Sequence, residues 1–175
     1  FNNIIRSNEV IVNDMVRKSE KEFTYVIPGI SDTLIPMYIS VNADQQYINN
    51  FTLDNIDVIR ICHRCGVNII MYREILKYLY SKYKMELKKI GDTVYIPIPR
   101  NIYEEFMPTS YTPSIHITFS NGCVNMKCKV IMNMIFLDGV ERNELLEERI
   151  KLKYHNYHVT EHKLDQNISN KISLS

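Results

Sequence analysis

Four cysteines are the residues of this sequence best suited to binding a metal ion. They form two pairs, Cys62 with Cys65 and Cys123 with Cys128. Four thiolates brought together could hold zinc tetrahedrally at about 2.3 Å. Strand alternation instead places Cys62 on a sheet face as a small apolar residue, and the spacing of the second pair is atypical of zinc ribbons. Buried free thiols are therefore the favoured interpretation, zinc is the alternative, and we expect no cofactor.

Three histidines near the end of the chain form a second candidate metal site. His155, His158 and His162 are spaced by three and four residues, which on a helix would place the imidazoles on one face. The segment from Tyr154 to Val159 is predicted to be extended, which would scatter them. We therefore do not expect a histidine metal site.

Paired carboxylates are the remaining candidates for catalysis. Glu104 and Glu105 are adjacent, and Glu147 and Glu148 are predicted to lie on a charged helix surface, so neither pair faces a common point as acid–base catalysis requires. The sequence also contains no G-x-S-x-G, H-E-x-x-H, G-x-G-x-x-G or P-loop pattern. We expect no enzymatic activity.

The size and charge of the chain predict one domain without affinity for polyanions. Its 175 residues are near the usual size of a single domain. The 21 basic side chains against 20 acidic ones give a net charge of +1, which favours no specific nucleic-acid partner. No apolar run reaches the roughly 18 residues that would span a bilayer, and the first residues lack the layout of a signal peptide. We expect a soluble chain that is an excerpt of a longer protein.

The elements that would position these residues are mostly short strands. Segments rich in Val, Ile, Tyr, Phe and Thr recur between turn signals, and eight short strands favour a sandwich or barrel. The hairpin of the fourth and fifth strands would turn at Arg64-Cys65-Gly66, where glycine can adopt positive φ. The eight predicted strands are Glu9 to Val16, Glu22 to Ile27, Met37 to Val41, Val58 to Cys62, Val67 to Tyr72, Thr93 to Ile98, Ser114 to Phe119 and Lys127 to Leu137.

Two helices are predicted between or after these strands. The first runs from Arg73 to about Leu87, where Ile75, Leu79 and Tyr83 form an apolar stripe at spacings of four. The second begins at Asp138, whose side chain can accept backbone N–H bonds while Glu141 bonds back as in a capping box, and it ends at about Arg149.

The passage from the last strand into the second helix carries the most specific pattern of the chain. The strand ends in Ile135, Phe136, Leu137 and Asp138, and Glu141 and Arg142 follow in the first turn of the helix. Upstream, Tyr95, Pro97 and Pro99 alternate along another predicted strand. The first pattern is similar to the end of the first barrel in the major capsid proteins of nucleocytoplasmic large DNA viruses, and the second resembles the Y-(V/I)-P-(L/I)-P segment of the same family.

The resemblance implies a mainly β fold, an eight-stranded jelly roll with two short helices that is the first barrel of a double jelly roll. Residues 1–169 would form this barrel, and residues 170–175 would begin the connection to a second one. It further implies a structural virion protein, assembled in the host cytoplasm, that forms homotrimers of pseudo-hexagonal outline. Its partners would be further copies, neighbouring capsomers, and minor capsid proteins or the inner viral membrane.

Three alternatives remain open. A scaffold of the poxvirus type would tile a membrane instead of forming the shell itself. A β-sandwich binding module, for a carbohydrate or another ligand, belongs to a different class, and many jelly rolls serve that role. A zinc-dependent enzyme is the third alternative.

Overall fold

The computed structural model describes residues 7–27, 33–62, 68–99, 107–108 and 114–136. Within these ranges the chain is mainly β, with two antiparallel sheets and two short α-helices. The helices are α1 (Gln45–Asn49) and α2 (Arg73–Lys82), and a 3₁₀ turn spans Leu53–Asn55. The strands are β1 (Ser7–Asp14), β2 (Val16–Arg17), β3 (Glu22–Val26), β4 (Thr33–Asn42), β5 (Ile56–Cys62), β6 (Asn68–Tyr72), β7 (Lys88–Ile90), β8 (Thr93–Pro97), β9 (Met107–Pro108), β10 (Ser114–Phe119) and β11 (Lys127–Phe136).

The two sheets differ in strand order. Sheet A has the order β1-β11-β4-β8-β7, and β9 pairs with β4 beside this path. Sheet B has the order β2-β3-β10-β5-β6. Every strand pair is antiparallel, so each sheet can bury one face and expose the other.

The pairing of the longer strands is nested. The first pairs with the last as β1 with β11, and the next ones inward pair as β3 with β10, β4 with β8 and β5 with β6. Two further pairs place these nested pairs side by side: β11 pairs with β4 in sheet A, and β10 pairs with β5 in sheet B. Most strand contacts therefore link residues that are distant in sequence.

The core lies between the sheets, as the alternation of buried residues shows. In β10, Ile115, Ile117 and Phe119 are fully buried while the residues between them are half-buried on the outer face. The same period of two buries Cys128, Val130 and Met132 in β11. A period-two pattern in these strands thus produces two inner faces that bury each other.

The mainly β prediction is confirmed, and the strand bounds differ in places. Each of the eight predicted segments contains a strand, and the described ranges add three short ones, β2, β7 and β9. The segment from Glu9 to Val16 was predicted as one strand, which is wrong, because the chain leaves sheet A at Met15 and enters sheet B at Val16. Met15 is buried and its N–H bonds to the carbonyl of Cys128, which holds the crossing in place.

The predicted hairpin after Ile56 is confirmed. β5 and β6 pair from Val58 opposite Tyr72 to Cys62 opposite Asn68. The turn itself, residues 63–67, lies outside the described residues.

The first helix is confirmed, with Ile75, Leu76, Leu79 and Tyr80 buried. Its N-terminal residue Arg73 is bonded to the sheet, donating to the carbonyl of Ile56 at 3.2 Å, to Asp57 at 2.6 Å and to Ser120 at 2.7 Å. No helix within the described ranges is long and apolar enough to cross a membrane.

α2 ends at Lys82, and the prediction that it reaches Leu87 is wrong. Lys84 has a φ of 52°, and its N–H bonds to the carbonyl of Ser81 while that of Met85 bonds to the carbonyl of Tyr80. This pattern is a Schellman cap, in which glycine is the usual residue at positive φ. The sequence signal was weak because lysine occupies that position.

Replacing Lys84 by glycine should raise the free energy of unfolding by about 1 kcal/mol, because a left-handed conformation costs a lysine about that much and glycine almost nothing. Urea unfolding of Lys84→Gly against the parent chain measures the difference. The matched control is Lys82→Gly at the last residue of the helix, where φ is helical and glycine should lower stability. Equal destabilisation by both substitutions would contradict the assignment of the cap.

Arg17 closes one end of the sandwich. The Arg17 guanidinium donates hydrogen bonds of 2.8–3.2 Å to the backbone oxygens of Ser19, Glu20, Cys123 and Val124. These charge-assisted bonds fix the β2–β3 turn against the loop before β11. The guanidinium also lies 5.4 Å from the centroid of the Phe23 ring, so the side chain covers this end of the core.

Candidate functional site

The strand register separates the predicted zinc ligands. Cys62 lies opposite Ser114 at the start of β10, whereas Cys123 follows the end of that strand. The length of β10 alone is about 17 Å at about 3.4 Å per residue, so Cys62 and Cys123 lie too far apart to bind one zinc ion together. Cys65 lies outside the described residues, and among those described no three His, Cys, Asp or Glu side chains converge as metal ligands.

The described cysteines are free thiols. Cys128 is buried against the core, and burial raises the pKa of its thiol, so it stays protonated and unreactive near neutral pH. Cys62 and Cys123 are half-buried. The interpretation of buried thiols thus fits Cys128 best.

The resemblance residues of the sixth predicted strand lie in β8 of sheet A. Tyr95 and Pro97 are half-buried on its outer face, the side that faces away from sheet B. The carbonyl of Pro97 accepts a hydrogen bond from the hydroxyl of Tyr80, which ties α2 to this strand. Pro99, just beyond the strand, is buried.

The second set of resemblance residues is described only in part. Ile135 pairs with Asn8 and Thr33, and Phe136 pairs with Ser7, so both belong to the paired part of β11. Three sets of candidates lie outside the described residues: the motif residues Leu137, Asp138, Glu141 and Arg142 with the predicted second helix, the histidines His155, His158 and His162, and the glutamates Glu104, Glu105, Glu147 and Glu148.

An apolar row crosses the outer face of sheet A. The register places Val12 opposite Ile131, Ile131 opposite Tyr38, and Tyr38 opposite Pro97. Val12 is 54% exposed and the neighbouring Val10 is 58% exposed. The row spans four strands, or about 14 Å at the usual strand spacing. We call Val10, Val12, Ile131, Tyr38 and Pro97 the sheet A row. A continuous apolar strip of this kind is typical of a protein contact surface.

The outer face of sheet B carries a polar cluster that sequence analysis missed. The Nδ1 atom of His116 lies 2.9 Å from the hydroxyl of Thr24, and its Nε2 lies 2.9 Å from that of Ser114. Burial and the positive charge of the facing Arg60 lower the pKa of His116, so the ring is neutral near pH 7. The i, i+2 spacing of Ser114 and His116 on a strand was the available signal.

This cluster links two strands and leaves no ring nitrogen free. A neutral imidazole has one donor and one acceptor nitrogen, and hydroxyls of Ser114 and Thr24 occupy both. His116 therefore connects β10 to β3 across the sheet. A serine beside a histidine can begin a nucleophilic site, but here the imidazole lies on a sheet surface and its bonds are those of a structural link.

Comparison with known proteins adds no assignment. No protein-family model matches the chain, and no curated protein matches it.

Proposed function

We propose that this chain is a jelly roll that serves as a building block of a viral capsid shell. The observation that carries the proposal is the nested pairing of the eight longer strands. Numbered along the chain, their order is 1-8-3-6 in sheet A and 2-7-4-5 in sheet B. That order results when a long antiparallel ribbon rolls up into two packed sheets, as in the jelly rolls of capsid proteins and lectins.

The positions of the resemblance residues support the capsid role over other uses of the fold. Tyr95 and Pro97 lie in the sixth of these strands, and Ile135 and Phe136 end the eighth. If the chain resembles the capsid family as proposed, the two motifs should lie in the sixth and the eighth strand. A scaffold of the poxvirus type shares the same fold and motif order and is the closest alternative.

The sheet A row supports self-association. Two exposed valines on an edge strand, followed by Ile131, Tyr38 and Pro97, form a surface whose burial would be favourable by about 25 cal/mol per Å² of apolar area. A building block of a shell must bury such a surface against further copies of itself. We propose that the row packs against another copy within a homotrimer.

Native mass spectrometry of the 175-residue chain tests the proposal. We expect trimers at micromolar concentration, and we expect Val10→Lys combined with Val12→Lys to weaken association by about tenfold or more, since each lysine would be desolvated in the contact. The matched control is Val26→Lys, which changes a valine 71% exposed on the outer face of sheet B.

Two outcomes would overturn the proposal. The first is a chain that stays monomeric throughout the micromolar range, because a shell building block must associate with further copies of itself. Equal loss of trimer in the Val26→Lys control would remove the sheet A row from the contact. Circular dichroism of each variant verifies that the sheets are intact.

A further inference from the structure

A polar cleft lies at the end of the sandwich where β10 leads into β11. Its volume is about 340 Å³, near the lower end of the range of ligand sites, so it would suit a ligand of about one ring rather than a chain of several. One wall comes from α1 and the 3₁₀ turn, and the other from the loop after β10. The residues that line it include Asp44, Gln46, Tyr47, Asn50, Asn55 and Asn121.

The lining is unusual in being rich in uncharged amides. Four carboxamide side chains surround it, and Asp44 is the charged side chain among the lining residues. Each amide offers both a donor and an acceptor, which matches a hydroxyl group that also donates and accepts. The described residues of the lining include no basic side chain, so they do not favour an anionic ligand.

Part of this hydrogen-bonding capacity is already used within the protein. Asn50 donates to the carbonyl of Gln46 at 3.0 Å, and the Asn55 side-chain oxygen accepts from the backbone N–H of Thr52 at 2.8 Å. The side-chain amides of Gln46 and Asn121 make no hydrogen bond within the described part of the chain. Those two amides, with Asn55 Nδ2 and Asn50 Oδ1, are available to a ligand.

Contacts distant in sequence hold the two walls together. The Tyr47 hydroxyl donates to the carbonyl of Asn121 at 2.7 Å, and the Asn125 amide donates to Asp44 at 2.7 Å. The Tyr47 ring packs against Phe51, with 5.8 Å between the ring centroids. The cleft is therefore formed before any ligand arrives, which lowers the entropy cost of binding.

We propose that this cleft binds a neutral polyhydroxylated ligand, in chemical class a single sugar ring. The amides of Gln46 and Asn121 would bond to its hydroxyls from opposite walls. The proposal is independent of shell assembly, because α1, the 3₁₀ turn and the loop after β10 form the cleft, whereas the proposed contact between copies uses the outer face of sheet A. Binding should be weak, with a dissociation constant on the order of 1 mM, since few buried contacts are available.

A titration followed by ¹H–¹⁵N correlation spectra tests the proposal. The probes are the methyl glycosides of glucose, mannose, galactose and N-acetylglucosamine, each added to the 175-residue chain. We expect at least one of them to shift signals of the cleft residues in a saturable way. Gln46→Ala combined with Asn121→Ala should weaken that binding by about tenfold, the loss expected from two hydrogen bonds. Both side chains are exposed, so the fold should tolerate their loss.

The matched control removes an exposed amide elsewhere. Asn68 lies at the start of β6 opposite Cys62, and Asn68→Ala should bind the glycoside like the parent chain. Three results would overturn the proposal: no saturable shift with any of the four glycosides, equal binding by the Gln46 and Asn121 double variant, or shifts of the same signals by calcium chloride or sodium phosphate alone. The last result would assign the cleft to an ion.

Discussion

Replacing Phe119 by alanine should lower the free energy of unfolding by about 3–5 kcal/mol, the usual cost of truncating a buried aromatic ring. Phe119 is fully buried at the end of β10. Its ring centroid lies 5.9 Å from that of Phe23 and 6.2 Å from that of Phe51, both in edge-on geometry. The substitution would remove both contacts and leave a cavity between sheet B and the α1 segment.

Urea unfolding at constant temperature measures this loss as a lower midpoint with an unchanged slope. Phe119→Leu should cost less than alanine, because it keeps most of the apolar volume. Val124→Ala is the surface control, since Val124 is 95% exposed and should change stability by less than about 0.5 kcal/mol. A cost below about 1 kcal/mol for Phe119→Ala would contradict the packing of the three rings.

Replacing Gly122 by alanine should lower the free energy of unfolding by about 3 kcal/mol, at the upper end of the usual cost of overpacking. A Cβ atom at this position would lie 2.1 Å from the backbone oxygen of Glu20. That oxygen also accepts a bond from Arg17 at 2.8 Å, so the turn cannot move away without breaking the closure of this end of the sandwich. The substitution should therefore disturb both the β2–β3 turn and the polar cleft.

Gly91 provides the matched comparison. It has a φ of +60°, but a Cβ atom there would meet nothing within 4 Å. Gly91→Ala should cost about 1 kcal/mol through backbone strain alone, so the two variants separate a steric clash from a conformational penalty. Thermal or urea unfolding of both variants, measured together, gives the ranking. A greater loss at Gly91 than at Gly122 would contradict the close approach to Glu20.

Much of the secondary structure could be predicted because its signals are local. The alternation of Ile115, Ile117 and Phe119 identifies the buried face of β10, and the stripe of Ile75 and Leu79 identifies that of α2. These patterns depend only on the periods of a strand and a helix. They do not reveal which strand lies beside which.

The errors arose where a distant residue decides a local boundary, or where the residue at the boundary is not the usual one. The break between β1 and β2 depends on the burial of Met15 and its bond to the carbonyl of Cys128. The end of α2 depends on a lysine at a position where glycine gives the usual signal. The separation of Cys62 from Cys123 could not be predicted, because residue spacing does not tell which end of a strand each cysteine occupies.

The sequence by itself determined the class of fold, the positions of most strands and the first helix, because hydrophobic periodicity follows from local backbone geometry. Only the tertiary structure decided the nested pairing, the sheet A row and the polar cleft. The sequence could not reveal these three features because each depends on hydrogen bonds or packing between segments that are far apart in the chain. Tyr47 and Asn121 line one cleft because a hydrogen bond joins them across a separation of 74 residues, and no local pattern contains that information.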